Sequence, residues 1–234
     1  MITLRKTALA LALIGGLLGF QSAAHAQVTV GKPAPDYSFT DIKGLSHSIS
    51  GYKGKIIVLE WTNPGCPFVK KYYSQGDMQK LQALYTKDPG IVWIAINSSA
   101  AGKEGYAASD ADAQKWATES KFVGTAYVRD PEGKFGRLYG AKTTPHMFVI
   151  DKDGNVAYQG AIDNLATPDP ADIPKAENYV AKAIFAVRAG QKPLTINTPP
   201  YGCGVKYADP APAATAEPFE ATAPAAPTVP APKQ

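Results

Sequence analysis

The sequence predicts an α/β fold built as a single well-buried domain. Two short apolar runs, 55–61 and 91–96, have the length and β-branched composition of strands that are covered on both faces. A turn and a segment of helical periodicity over 67–85 follow the first run, which is the start of a strand–turn–helix crossover unit. Gly76 is expected to kink or interrupt that helix.

The remaining elements continue this alternation of strands and helices. After a small, polar loop over 98–108 that is expected to be mobile, a helix over 110–120 has Ser109 as its N-cap. Further along we expect a strand over 126–129, a short helix over 135–139, a hairpin of strands 146–150 and 156–159, and a helix over 171–189 that ends at Gly190. The hairpin loop 151–155 is interpreted as a turn and not as a calcium loop, because Gly154 comes too early for one.

The two ends of the chain differ from the domain between them. Residues 1–26 have a basic start, an apolar stretch and a small-residue site ending at Ala26, which is the pattern of a cleaved secretory signal peptide. That apolar stretch is shorter than the roughly 20 residues that cross a bilayer, so no stable membrane span is expected. Residues 207–234 are rich in Pro and Ala and are expected to form a disordered tail. The domain then covers 27–206, in a periplasmic or secreted protein.

Composition excludes several classes of function. The net charge is only +4, and the leader contributes two of the basic residues, so the charge says little about partners. There is no cluster of Lys and Arg interleaved with aromatic residues, and nucleic acid is not expected as a ligand. The sequence has no haem, nucleotide or phosphate-loop signature, and no cofactor is expected.

Cys66 is the first candidate for chemistry, because it lies where a predicted strand passes into a predicted helix. Pro67 suits the first position of that helix, which makes Cys66 the N-cap. Unpaired backbone N–H groups and the positive end of the helix dipole stabilise a thiolate there, so we expect a lowered thiol pKa. Lys70 and Lys71 add positive charge. The alternative is a buried, inert cysteine.

The segment EWTNPGCPFV over 60–69, followed much later by Thr143, Thr144 and Pro145 before a strand, resembles the thioredoxin superfamily. More narrowly it resembles the redoxin branch, the AhpC/TSA or peroxiredoxin-like proteins. The resemblance covers about 28–190 and implies a thioredoxin-like fold, with a central mixed sheet flanked by helices. It also implies a cis peptide bond before Pro145, with Thr144 and Pro145 forming a substrate-binding wall. Three further substrate-binding candidates come from the first segment: Trp61, Asn63 and Pro67.

Glu60 and His146 are further candidates near the predicted thiol. Glu60 lies six residues before Cys66, which matches the offset of the buried acid that transfers protons in thioredoxins, and burial is expected to raise its pKa. The alternative is a strand-end acid that reaches solvent. His146 is expected to be satisfied by the backbone, and His47 to lie at the surface. Cys66 and His146 supply two possible soft ligands where a closed metal site needs four, so no metal is expected.

The sequence departs from the family pattern around the thiol. A Cys-x-x-Cys motif needs a second cysteine at Val69, and a peroxidatic motif needs Thr or Ser at Asn63 and Pro at Leu59. These departures weaken the prediction of peroxidase activity. The run from Asn63 to Cys66 also aligns with Cys-x-x-Cys, which would make Cys66 the shielded second sulfur. Pro67 favours the other register.

Cys203 is the only other cysteine, in a Gly-flanked segment after the last predicted helix. It is either a resolving thiol for Cys66 or one half of a structural disulfide, which would contribute on the order of 4 to 5 kcal/mol in the chain-entropy model. The first possibility predicts an exported thiol–disulfide oxidoreductase or peroxiredoxin-like antioxidant. In it Cys66 attacks a protein disulfide or a peroxide, Glu60 moves protons, and an unidentified thiol donor restores the enzyme. The second predicts a non-catalytic binding module.

Overall fold

The computed structural model describes residues 28–209, which form a central mixed sheet flanked by helices. The strands are β1 (Ser38–Thr40), β2 (Ser46–Ser48), β3 (Ile56–Trp61), β4 (Ile91–Asn97), β5 (Ala126–Arg129), β6 (Thr143–Thr144), β7 (His146–Ile150), β8 (Val156–Gly160) and β9 (Cys203–Gly204). The helices are α1 (Pro67–Ser74), α2 (Asp77–Thr86), α3 (Asp110–Glu119), α4 (Lys134–Tyr139) and α5 (Tyr179–Arg188). The predicted leader, 1–26, and the predicted tail from 210 onward lie outside the described residues.

The main sheet has the strand order β5-β4-β3-β7-β8. Strands β3, β4 and β5 are parallel, whereas β7 runs antiparallel to both β3 and β8. This confirms the thioredoxin-like mixed sheet. Two small antiparallel pairs, β1 with β2 and β6 with β9, lie outside it. Over 28–209 the chain contains no helix with the length and apolar character needed to cross a bilayer.

The sheet separates two apolar cores, and β3 contributes to both because its side chains alternate between the faces. Ile57, Leu59 and Trp61 pack on the face that also holds Phe135 of α4. The opposite face is covered by α1, α2 and α5, and its core includes Ile56, Val58, Cys66, Val69, Tyr72, Met78, Val180 and Ile184. Glu60 lies between Leu59 and Trp61 and therefore points toward this second face.

Two helix predictions have different outcomes. The predicted helix over 67–85 is interrupted at Gly76, as expected, because that residue has φ 80° and separates α1 from α2. The predicted start of the last helix at 171 is wrong. Residues 170–175 form a 3-10 turn containing Pro174, which has no N–H to donate to an α-helix. The helix begins at Tyr179 because Asn178 accepts a hydrogen bond from the N–H of Ala181 at 2.8 Å.

The chain after α5 packs along the domain as far as it is described. Thr198 Oγ1 accepts a hydrogen bond from the N–H of Ala161 at 2.9 Å, next to the end of β8. Tyr207 donates its hydroxyl to the carbonyl of Ala141 at 2.9 Å, and the guanidinium of Arg137 lies 4.5 Å from its ring. We call residues 196–209 the C-terminal arm. It extends past 206, where the sequence placed the end of the domain, and it carries the second cysteine.

Candidate functional site

Cys66 is the N-cap of α1, with Pro67 at the first helical position, as the sequence predicts. Its backbone is extended, with φ −68° and ψ 124°, and its carbonyl accepts a hydrogen bond from the N–H of Lys70 at 2.9 Å. The thiol donates to the carbonyl oxygen of Thr144 at 3.0 Å. The residue is fully buried beneath other parts of the chain. The sulfur thus lies at a helix N-terminus and inside the protein.

The pKa of the Cys66 thiol is lowered, although burial acts in the opposite direction and is the largest single effect. Interactions with the thiol and backbone of Cys203, with Thr144 and with the backbone of Val69 together outweigh burial. Val69 is the third residue of α1, and its N–H donates to the Cys66 carbonyl at 3.1 Å. The pKa is lowered as expected, but the largest cause of the lowering is Cys203 and not the helix N-terminus to which the sequence pointed.

The pKa of the Cys203 thiol is raised, because of burial first and then because the sulfur of Cys66 lies beside it. The ammonium of Lys206 opposes this shift. The two thiols interact electrostatically and are unequal: the pKa of Cys66 is lowered and that of Cys203 is raised, so Cys66 ionises first. Both cysteines are free in this structure.

Cys203 is placed by the pairing of β9 with β6. Cys203 lies opposite Thr144, and Gly204 lies opposite Thr143. A side chain at Gly202 would collide with the carbonyl oxygen of Thr144, and Gly202 has φ 125°, so the close approach of the two segments requires glycine. The same Thr144 carbonyl accepts a hydrogen bond from the thiol of Cys66, so this one residue contacts both cysteine-bearing segments.

Tyr201 fixes the arm on the other side of Cys203. Its hydroxyl donates to Oδ1 of Asp163, and Oδ2 of the same carboxylate accepts from the hydroxyl of Tyr72 and, at 3.3 Å, from Nζ of Lys71. Lys71 and Asp163 are both fully buried. The sequence treats Lys71 as a positive charge close to the thiol. In the structure its ammonium is instead neutralised by Asp163, in a polar cluster that holds the arm.

Three of the candidate substrate-binding residues lie around the sulfur. The Thr144–Pro145 peptide bond is cis, as the family resemblance implies, and both residues are buried beside Cys66. Pro67 is exposed at the start of α1. These positions surround the thiol, while the arm covers it.

Asn63 connects the turn before Cys66 to the loop 98–108. Its Oδ1 accepts from the N–H of Gly65 at 2.7 Å, and its Nδ2 donates to Ser99 Oγ at 3.1 Å and to the carbonyl of Glu104 at 3.0 Å. The loop is also tied to the arm, since the N–H of Ala100 donates to the carbonyl of Lys206 at 2.8 Å. Asn63 is buried, and both the oxygen and the nitrogen of its side-chain amide are hydrogen-bonded. It therefore positions the loop around the site.

Trp61 and His146 lie on the face of the sheet away from Cys66. Trp61 is fully buried against Phe135, Tyr139 and Phe148, and it donates from Nε1 to Ser98 Oγ at 3.1 Å. Adjacent strand residues point to opposite faces, so Glu60 and Trp61 cannot both face the thiol. The structure therefore does not bring Trp61 to the site.

His146 is satisfied by the backbone, because its Nδ1 accepts from the N–H of Lys142 at 3.2 Å. Burial lowers the pKa of His146 to about 3.

Glu60 is fully buried on the same side of the sheet as Cys66, and not at a solvent-exposed strand end. Its carboxyl accepts from Trp93 Nε1 at 2.7 Å, from the hydroxyl of Tyr73 at 2.9 Å and from Gln82 Nε2 at 3.3 Å. Burial raises the pKa of Glu60 to about 7, although these hydrogen bonds oppose the shift. The carboxyl can thus both hold and release a proton near neutral pH. Its hydrogen bonds go to these three side chains and not to either sulfur.

The arrangement is suited to thiol chemistry. No group of three or more His, Cys, Asp or Glu side chains within 28–209 is arranged to bind one. Sequence reasoning missed Tyr201, Asp163 and the inward direction of Lys71. The Lys71–Asp163 contact spans 92 positions and the Tyr201–Asp163 contact spans 38, and no local motif marks either of them.

Comparison with known proteins gives a family and a set of relatives. Residues 30–159 match the model of the AhpC/TSA family. A protein of Geobacillus kaustophilus named "Thiol-disulfide oxidoreductase ResA" is 29% identical over 129 residues, which cover 55% of this chain and 67% of that protein. A Bacillus cereus protein of the same name is 27% identical over 158 residues, covering 62% of this chain and 80% of the relative.

Solved structures show the same fold. An uncharacterised conserved protein from Geobacillus kaustophilus superposes with a TM-score of 0.65 at 25% identity, covering 80% of this chain and 96% of that one. A hypothetical protein from Sinorhizobium meliloti gives a TM-score of 0.63 at 23% identity, covering 78% of this chain and 96% of the other. Each of these two superpositions covers a larger part of this chain than the family match over residues 30–159 does.

Replacing Trp61 with Phe tests its placement away from the thiol. We expect the free energy of unfolding to fall by about 1–2 kcal/mol, because the smaller ring leaves a gap in the core. The rate at which Cys66 is alkylated in the native protein should not change. Chemical denaturation and native-state alkylation measure the two effects. A changed alkylation rate at unchanged stability would show that Trp61 contacts the site.

Replacing Glu60 with Gln tests the raised pKa. The folded-state pKa of about 7 lies above the ordinary glutamate value of 4.5, so between these pH values the folded protein holds a proton that the unfolded chain has lost. The free energy of unfolding of the wild type should therefore fall by about 3 kcal/mol, relative to Glu60→Gln, as the pH rises from 4.5 to 7. Denaturation across this range measures the difference, with exposed Glu119→Gln as a control. Parallel curves for wild type and Glu60→Gln would contradict the assignment.

Proposed function

This chain belongs to the AhpC/TSA family, and from that premise we propose that it is an exported thiol–disulfide oxidoreductase with Cys66 as its nucleophile. One observation carries the proposal. The Cys66 sulfur lies at a helix N-terminus with a lowered pKa, and the strand pairing places Cys203, whose thiol has a raised pKa, opposite the Thr144 whose carbonyl the Cys66 thiol contacts. One sulfur is thus prepared to attack and a second is placed to follow it.

The two sulfurs support a two-step exchange. The Cys66 thiolate attacks one sulfur of a protein disulfide, a mixed disulfide forms, and the other substrate sulfur leaves as a thiolate. Cys203 then loses its proton and attacks Cys66, which releases the second substrate thiol and forms the Cys66–Cys203 disulfide. Two electrons pass from the protein to the substrate. A thiol donor of unknown identity returns the two electrons.

Glu60 is proposed to exchange protons with the thiols during this cycle. Its pKa of about 7 lets it take up the proton that Cys203 loses and supply one to a leaving substrate thiolate. Its hydrogen bonds to Tyr73, Gln82 and Trp93 hold the carboxyl in one position. Because no hydrogen bond joins it directly to a sulfur, the transfer requires an intervening group.

Peroxide reduction is a second candidate, favoured by the match to the AhpC/TSA family model. Here Cys66 attacks the O–O bond of a hydroperoxide, which leaves a sulfenic acid on Cys66 and releases an alcohol or water. Cys203 condenses with the sulfenic acid, releases water and forms the same disulfide. Asn63 and Leu59, which stand where peroxidatic motifs have other residues, weigh against it.

Export is proposed from the leader pattern over 1–26, which would direct the protein to the periplasm or the medium. Such compartments permit disulfides to persist. They suit both a redox role and the remaining alternative, a non-catalytic module stapled by a structural Cys66–Cys203 disulfide.

Single serine variants of the two cysteines distinguish these functions. With a protein disulfide as substrate, Cys66→Ser should lose turnover, and Cys203→Ser should accumulate a mixed disulfide on Cys66, because the resolving thiol is gone. Insulin reduction and mass spectrometry of the trapped adduct are the measurements. Hydrogen peroxide is tested in parallel for the second candidate.

If Cys66 attacks and Cys203 resolves, the two serine variants differ in turnover and in trapped mixed disulfide. If the two cysteines form only a structural disulfide, both variants lose the same stability. Equal losses of stability in both variants, with no turnover of either substrate by the wild type, would support the binding module. A wild type that turns over peroxide but not the protein disulfide would replace the leading proposal with the second candidate.

A further inference from the structure

The backbone edge beside Cys66 is already occupied by the protein's own chain. Strand β6 directly precedes Pro145, and its two residues pair with Cys203 and Gly204 of β9. The N–H of Val205 continues this pairing with the carbonyl of Lys142 at 3.0 Å. An extended polypeptide that binds to a strand edge does so through the same backbone groups. A polypeptide disulfide that pairs beside Cys66 therefore competes with β9.

The Tyr201 side chain connects the start of this strand to the buried part of the domain. The Tyr201 hydroxyl donates to the carboxylate of Asp163, and its ring packs edge-on against Phe68 of α1 at 5.8 Å between centroids. Asp163 is fixed independently of the arm, since it also accepts from Lys71, from Tyr72 and, at 2.8 Å, from the N–H of Leu165. The arm is thus attached to a site that remains formed when the arm leaves.

We propose that β9 is a built-in occupant of the edge where an extended polypeptide would pair beside Cys66, and that Tyr201 is a specificity-determining residue that holds it there. The inference rests on the proposed function, since it states which disulfides reach Cys66. A small disulfide has no extended backbone to pair with β6, so it does not compete with β9 for that edge. Polypeptide disulfides need release of β9, and the bond from Tyr201 to Asp163 opposes that release.

Tyr201→Phe removes this hydroxyl and keeps the ring on Phe68. Because Asp163 retains three other donors, the variant is expected to fold. Hydrogen bonds to charged groups contribute enough that the open arm should become about tenfold more populated. The measurement is made in a Cys203→Ser background, so that Cys66 is the only thiol.

Two probes with the same leaving group separate the two kinds of substrate. One is an unstructured peptide whose cysteine forms a disulfide with thionitrobenzoate, and the other is the same activated disulfide of mercaptoethanol. Cys66 attacks either disulfide, a mixed disulfide forms, and thionitrobenzoate leaves and is followed by its absorbance. Tyr201→Phe should raise the rate constant for the peptide about tenfold and that for the small probe less than about threefold.

Two further variants complete the test. Tyr52→Phe is the matched control, because it removes a hydroxyl that is hydrogen-bonded to His47 Nδ1 at 2.6 Å on the opposite side of the sheet. It should leave both rates unchanged. Gly202→Ala should raise the peptide rate as well, since its new methyl group meets the Thr144 carbonyl and disfavours docking of β9.

The ratio of the two rate constants decides the proposal. An unchanged ratio in both Tyr201→Phe and Gly202→Ala, or an equal rise for both probes, would overturn it. The measurement needs only a reactive Cys66 and no turnover, so a wrong assignment of the enzymatic role would leave the result interpretable. This distinguishes a failure of the proposed role of β9 and Tyr201 from a failure of the proposed function.

Discussion

The contact among Cys66, Thr144 and Cys203 is the constraint on which the rest of the site depends. The Cys66 thiol donates to the Thr144 carbonyl at 3.0 Å, and Cys203 lies opposite Thr144 in the pairing of β6 with β9. Burial alone would raise the pKa of Cys66 and make it inert. Interactions with Cys203, with Thr144 and with the backbone of Val69 reverse that effect, so a fully buried sulfur remains the more acidic of the two.

The fold supplies each part of this contact from a different region. Strand β3 and the turn after it place Cys66 at the start of α1, the β6 edge presents Thr144, and the C-terminal arm brings Cys203. The buried Lys71–Asp163 pair is costly unless its hydrogen bonds are complete. Lys71, Tyr72 and the N–H of Leu165 supply three donors to this carboxylate, and Tyr201 adds a fourth from the arm, so the buried pair gives the arm a preformed anchor.

The sequence predicts those features that depend on neighbouring residues. Cys66 followed by Pro67 identifies the N-cap, and the position of Glu60 in an apolar strand identifies a buried acid with a raised pKa. Trp61 belongs to the motif segment but faces the other side of the sheet from Cys66, and the alternation of strand side chains contains the signal for this direction. Tyr201 and Asp163 could not be found, since nothing local shows that segments 38 residues apart meet.

The most direct test of this account is the thiol pKa of Cys66 in the reduced wild type and in Cys203→Ala, measured by peptide-resolved alkylation against pH. We expect a wild-type pKa below that of an ordinary cysteine, about 8.5, and a higher pKa in Cys203→Ala, because the interaction with Cys203 that lowers the pKa of Cys66 is lost. A wild-type value at or above the ordinary one, or no change on removing Cys203, would contradict it.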